Sequence, residues 1–99
     1  MATGRSPLTK DMGLENTSIE VDSNTGRIVT NEKDATAVDN IYAIGDVAFG
    51  RPELTPAAIQ AGHFLAHRLY RQKKKVMDYG NVATTVFTPM EYGWLVASY

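Results

Sequence analysis

The 99 residues contain no cysteine, which removes disulfides, thiolate nucleophiles, sulfur-ligated metals and dithiol redox chemistry from what these residues can do by themselves. Neither sign of charge is in excess: 10 Lys+Arg stand against 11 Asp+Glu, a formal net charge of -1. A chain without a basic surplus is a poor binder of phosphate backbones, so nucleic acid is not an expected partner. Long apolar runs are also missing. No stretch approaches the ~20 residues that cross a bilayer, and residues 1–10 lack the apolar segment of a secretory signal. No membrane partner is expected, and the expected setting is soluble and cytoplasmic, with the mitochondrion as the alternative. The glycines, at positions 4, 13, 26, 45, 50, 62, 80 and 93, never form the G-x-G-x-x-G order that grips a pyrophosphate.

What is present suits a small folded chain. Hydrophobic residues make up 43% and charged residues 21%, ordinary values for a globular protein. A chain of this length buries well under about 70% of the surface that it exposes when unfolded, so one modest core and marginal stability are expected.

Residues 1–17 carry Gly4, Pro7 and Gly13 with little apolar periodicity and read as a connector, with one helical turn near Lys10–Leu14. Ile19 and Val21 face Ile28 and Val29 across Asp22-Ser23-Asn24-Thr25-Gly26, which predicts a hairpin. Ile41-Tyr42-Ala43-Ile44 is apolar without alternation and stops at Gly45-Asp46, as a parallel strand buried on both faces does. Ligands of such sheets bind at the carboxyl ends of the strands, where Asp46 lies. Thr55-Pro56 opens a helix, with Thr as the cap and Pro at the first helical position. Cations crowd its far end, and the spacing of Ile59, Ala66, Leu69 and Tyr70 carries it from Pro56 to about Gln72. Val82 to Thr88 is β-branched and ends at Pro89, a second strand region, and Tyr92 to Tyr99 turns apolar again.

A carboxylate at a strand end followed by a helix N-terminus suits a ligand with both hydroxyl and anionic groups. From pattern alone, a plain turn at Gly45-Asp46 and a structural cap at Thr55 explain the same residues. His63 and His67, four apart on the helix, are half a metal site with no third ligand nearby, so no metal is expected. Lys73, Lys74 and Lys75 read as a solvated, basic helix end.

The words themselves point further. Thr36 to Asp46, TAVDNIYAIGD, resembles the second FAD-contacting motif of the pyridine nucleotide-disulfide reductases, and Glu53 to Gly62, ELTPAAIQAG, resembles the helix that points at the flavin in that family. Val86 to Gly93, VFTPMEYG, is similar to the large, animal-type thioredoxin reductases. Ala2 to Asp11, ATGRSPLTKD, resembles the segment that leaves the NADPH domain. The resemblance implies an α/β fragment of the FAD-binding domain, comprising a hairpin, a buried parallel strand and one long helix, followed by the first strands of the dimerisation domain. Residues 1–12 would then be the tail of the NADPH-binding domain, 13–78 the C-terminal part of the FAD-binding domain, and 79–99 the start of the interface domain.

It also implies roles. Asp46 would accept hydrogen bonds from the ribityl chain of FAD, Leu54 and Thr55 would approach the flavin's pyrimidine edge, and Glu53 would stand near flavin and nicotinamide. Gly4 and Arg5 would border NADPH. The complete enzyme would be a homodimer acting on thioredoxin or another disulfide. The family's vicinal cysteines, Gly-rich loop and His-Pro base have no counterpart here; neither His63 nor His67 precedes proline. From Trp94 onward the chain departs from the family's Cys- and Gly-containing strand. The expectation is therefore an internal fragment, inactive alone, with no catalytic residue and poor FAD affinity. Glutathione reductase, mixed thioredoxin-glutathione reductase and a non-catalytic truncated product that pairs with full-length subunits are the alternatives.

Overall fold

The computed structural model describes residues 2–87 and 89–97. Its regular elements are helix α1 (Thr55–Tyr70) and an antiparallel pair of strands, β1 (Asn81–Val86) and β2 (Tyr92–Ala97), with short 3-10 turns at Leu14–Asn16 and Gly45–Val47. The class is small α/β, as expected.

Helix α1 forms because Pro56 presets the first-turn geometry and the following residues lack a β-branched run. Leu54, not Thr55, holds the capping position. Its backbone is extended at φ -132, its carbonyl receives the Ala58 N–H at 3.0 Å, and no side chain caps the helix. Thr55 is already helical, one position past the place from which a hydroxyl reaches the second and third N–H groups. The helix ends two residues before the expected Gln72. Gln72 adopts φ 52, and this left-handed turn lets the N–H groups of Arg71 and Lys73 both donate to the His67 carbonyl, at 3.0 and 3.2 Å.

The hairpin at residues 19–29 is formed around an antiparallel bridge between Val21 and Ile28. Its turn is closed by Gly26 N–H donating to the Asp22 carbonyl at 2.8 Å, with Gly26 at φ 73. The Asp22 carboxylate receives the Thr25 hydroxyl at 2.7 Å and the Thr25 N–H at 2.8 Å. These bonds hold its acidity below the usual carboxylate range. Ile28 also bridges Ala48 in parallel, donating to the Val47 carbonyl and accepting from Phe49 N–H, both at 2.8 Å.

The buried parallel strand expected at Ile41–Ile44 is not formed. The stretch makes one antiparallel bridge, Tyr42 to Ala35, and leaves Ile41 39% and Tyr42 36% exposed. A strand buried on both faces needs elements packed over each face, and the backbone hydrogen bonds of this stretch run to the preceding loop, at Asp34, Thr36 and Val38. The expected helical turn near Lys10–Leu14 falls at Leu14–Asn16 instead. The expected strand Val82–Thr88 runs over Asn81–Val86 and pairs with β2 from Asn81↔Ala97 to Val86↔Tyr92; Thr88, like Ser98 and Tyr99, lies outside the described residues.

Among the described residues the buried apolar ones are Ile19, Ala43, Ala48, Ala57 and Ala61. Small side chains suffice because α1 lies close on the Ile44–Val47 segment. A Cβ on Gly45 would come within 3.3 Å of the Ala58 Cβ, and one on Gly62 within 3.4 Å of Ile44 Cδ1. Each buried methyl contributes about 0.8 kcal/mol, well below the ~1.5–3 kcal/mol of a buried Leu, so this core is thin.

Polar contacts supply the rest of the tertiary order. Asp34, at φ 63, is 0% exposed. Its carboxylate accepts from the Tyr79 hydroxyl at 2.8 Å and from Arg68 Nη2 at 3.0 Å, while its carbonyl accepts from Ala43 N–H at 3.0 Å. Burial, then the hydrogen bond to Asp34, pushes the Tyr79 phenol up to about 12.

Candidate functional site

Gly45 is where the extended Ile41–Ile44 segment turns. Its φ of 74 belongs to the left-handed region that glycine enters without cost, and the Ala48 N–H closes the turn on the Gly45 carbonyl at 3.1 Å. This presents Asp46 at the surface beside the first turns of α1. Among the described residues the Asp46 carboxylate has no hydrogen-bond or ion-pair partner, so it is available to a ligand's hydroxyl groups.

A cavity of about 290 Å3 gathers Arg5, Asp46 and Glu53, three of the six residues singled out from the sequence, with Leu8, Met12 and Ile28 as apolar wall. Leu54 lines a different cavity, of about 450 Å3, together with Gly50, Pro52 and Tyr79. Thr55 is exposed at the start of α1. Gly4, at φ 110 with open space around it, is also exposed and lies next to Arg5 rather than in the cavity wall.

Sequence reasoning missed Arg27. Its Nε donates to the Asp46 carbonyl at 3.1 Å, and its Nη2 forms an ion pair with Glu53 Oε1. One side chain from the hairpin thus clasps both motifs, fixing the Asp46 turn relative to the loop that carries Glu53. An isolated arginine after a turn glycine gives no spacing signal; only the folded hairpin puts it there. Sequence reasoning missed the Asp34, Arg68 and Tyr79 cluster for the same reason, since its members are drawn from loops and a helix end far apart in the chain.

Among the described residues no group of three or more His, Asp or Glu side chains is placed to hold a metal. His63 is exposed and His67 half-buried. Lys73, Lys74 and Lys75 are exposed, and Lys75 Nζ stands 5.0 Å over the Phe64 ring, as a basic stem packed on an aromatic does. No helix among the described residues is long and apolar enough to cross a membrane.

A mixed wall of this kind, with one unpaired carboxylate, two arginines, Glu53 and apolar side chains beside a helix N-terminus without a side-chain cap, suits a ligand with both hydroxyl and anionic groups. A sequence model for pyridine nucleotide-disulphide oxidoreductases matches residues 1–62. The chain therefore belongs to the pyridine nucleotide-disulphide oxidoreductase family, a family of redox enzymes. The matched span contains both TAVDNIYAIGD and ELTPAAIQAG and ends at Gly62; VFTPMEYG lies beyond it.

The residues fit one end of a flavin nucleotide and not the other. Asp46 and the uncapped start of α1 suit a ribityl chain and an electron-rich ring edge. A cavity of about 290 Å3 holds only part of such a molecule, and no glycine-rich turn in the chain is built to receive a pyrophosphate.

Proposed function

We propose that this chain carries the flavin-facing part of an NADPH- and FAD-dependent thioredoxin reductase. In this reading residues 1–12 close the NADPH-binding domain, 13–78 belong to the FAD-binding domain and 79–99 begin the dimerisation domain. The complete enzyme is a cytoplasmic homodimer that reduces thioredoxin or a related disulfide. FAD, when bound, supplies a ring that accepts two electrons from NADPH. Asp46 accepts hydrogen bonds from ribityl hydroxyls. The N–H groups at Leu54 and Thr55 would hold the ring's pyrimidine edge and, with the dipole of α1, would favour negative charge there. Glu53, held by Arg27, stands where flavin and nicotinamide meet, and Gly4 and Arg5 border NADPH. The observation that carries the reading is the single cavity lined by Arg5, Asp46 and Glu53. By resemblance, VFTPMEYG favours the thioredoxin type over glutathione and mixed thioredoxin-glutathione reductases.

A fluorescence titration of the purified chain with FAD tests it. Weak binding is expected, because no pyrophosphate loop is present, and Asp46→Ala should lower it at least about tenfold, the worth of one charge-assisted hydrogen bond at about 1.5 kcal/mol. Superimposable curves for the two proteins would contradict the reading. The chain alone should show no NADPH-driven thioredoxin reduction, since it holds no cysteine.

A second reading is favoured by the exposed apolar residues in and beside the strand pair, Phe87 just after β1 at 81%, and Tyr92 at 66% and Leu95 at 62% in β2: a non-catalytic product that pairs with full-length subunits through β1 and β2. Failure to co-purify with an intact reductase would count against it.

A further inference from the structure

The fully buried Asp34 carboxylate draws its partners from three separate parts of the fold. Arg68 Nη2 comes from the last turn of α1, at 3.0 Å. The Tyr79 hydroxyl, at 2.8 Å, lies two residues before β1. Arg51 Nη2, at 4.0 Å, lies two residues before Glu53. Arg51 and Tyr79 also meet directly, the guanidinium carbon standing 4.0 Å from the ring centroid. The same two guanidinium groups also hold nearby backbone carbonyls, while Arg51 Nε is buried without a hydrogen-bond partner. Arg51 Nη2 donates to the Asn31 carbonyl at 2.9 Å, Arg68 Nη2 to the Lys33 carbonyl at 2.9 Å, and Arg68 Nη1 to the Lys75 carbonyl at 3.0 Å.

We propose that this cluster is a latch that couples the orientation of the β1–β2 pair to the conformation of the Gly50–Thr55 loop, with Arg51 as the positioning residue. A carboxylate cut off from water cannot exchange a lost partner for solvent, so its three anchors move together or the charge is stranded. Between Arg51 and the helix stands Pro52, whose ring fixes φ and takes slack out of the segment. The opposing wall gives the coupling a route. The cavity of about 450 Å3 beside Leu54 is lined also by Tyr79, Gly80 and Val82, so a tilt of the strand pair changes the cavity that Leu54 lines. The high phenol acidity constant of Tyr79 agrees with a hydroxyl that keeps its proton to hold this bond. The latch belongs to the chain itself and goes beyond the flavin reading: it stands whether or not the loop faces a flavin.

Amide spectra of the 15N-labelled chain, recorded without cofactor, test it. Tyr79→Phe removes the hydroxyl that bonds Asp34 and keeps the ring over which Arg51 stands. The latch requires amide shifts at Gly50, Arg51, Glu53, Leu54 and Thr55. Shifts confined to Asp34 and residues 78–82, with the loop amides unmoved, would overturn it. Arg51→Met should reproduce the loop shifts and displace Gly80 and Val82, while Arg51→Lys, which keeps a cation over the Tyr79 ring, should restore part of both; a merely local packing role would give no such reciprocal pattern or rescue. If Tyr79→Phe does not fold, Arg51→Lys read at Gly80–Val82 decides on the same criterion: movement there supports the coupling, and its absence removes it. FAD titration of the same proteins separates the two ideas, because the loop shifts are expected even if no flavin binds.

Discussion

At the scale of single residues, the most informative group is the Tyr79 hydroxyl. Its acidity is pushed up to about 12, first by burial and then by the bond to Asp34. A phenol whose folded value lies above its unfolded value of about 10 stabilises the fold fully below pH ~10 and loses that contribution as the pH rises toward about 12. An absorbance titration of tyrosinate should therefore resolve one tyrosine that ionises about two units above the ordinary value of about 10, and thermal unfolding should show stability falling across the same window. In Tyr79→Phe both signals should disappear; a single tyrosine transition near pH 10 in the parent chain would contradict the assignment. Asp46 was legible in the sequence because Gly-Asp after an apolar run marks the exit from an extended segment, a local property. Arg27, which contacts both motifs, was not, since nothing about an arginine's neighbours in the chain says which carbonyl or carboxylate it will reach after folding. Thr55 shows a finer distinction: the Thr-Pro pair marks the helix start, but the identity of the capping residue depends on one φ angle, at Leu54.

At the scale of elements, α1 and β1 were legible because their signals are short-range: proline at a helix start, cations at its end, a β-branched run before Pro89. The parallel strand at Ile41–Ile44 was not, because its burial depends on neighbours that an apolar run cannot specify, and here the parallel contact lies between Ile28 and Ala48. The helix face that carries Ala57, Ala61 and Gly62 is set by its close approach to Ile44 and Gly45. Gly62 sits inside the helix, where glycine costs about 0.5–1 kcal/mol relative to alanine. A methyl there would touch only the flexible tip of Ile44, at 3.4 Å. Gly62→Ala is therefore expected to raise stability by up to about 1 kcal/mol in urea unfolding without altering FAD titration. A loss of more than about 1 kcal/mol would show that α1 and the Ile44 segment are packed more tightly than this geometry has them.

At the scale of the whole molecule, the described chain is open. Its radius of gyration is 15.1 Å, against about 13 Å for a compact domain of 100 residues, and its buried apolar residues are chiefly alanines. Large apolar side chains instead face outward, with Leu8 92%, Tyr92 66% and Leu95 62% exposed. Such surface favours association over isolation. Sedimentation at increasing protein concentration should show a rising mass, and Tyr92→Ser combined with Leu95→Ser should shift that rise to higher concentration. A concentration-independent monomer would contradict it. The central claim, that the Asp46 turn and the start of α1 face a flavin, is tested most directly by mapping FAD onto the 15N amide spectrum of the unaltered chain. The largest shifts are expected at Gly45, Asp46 and Val47 and at Leu54, Thr55 and Ala57. Saturating FAD that leaves these amides in place, or moves a different surface, would contradict it.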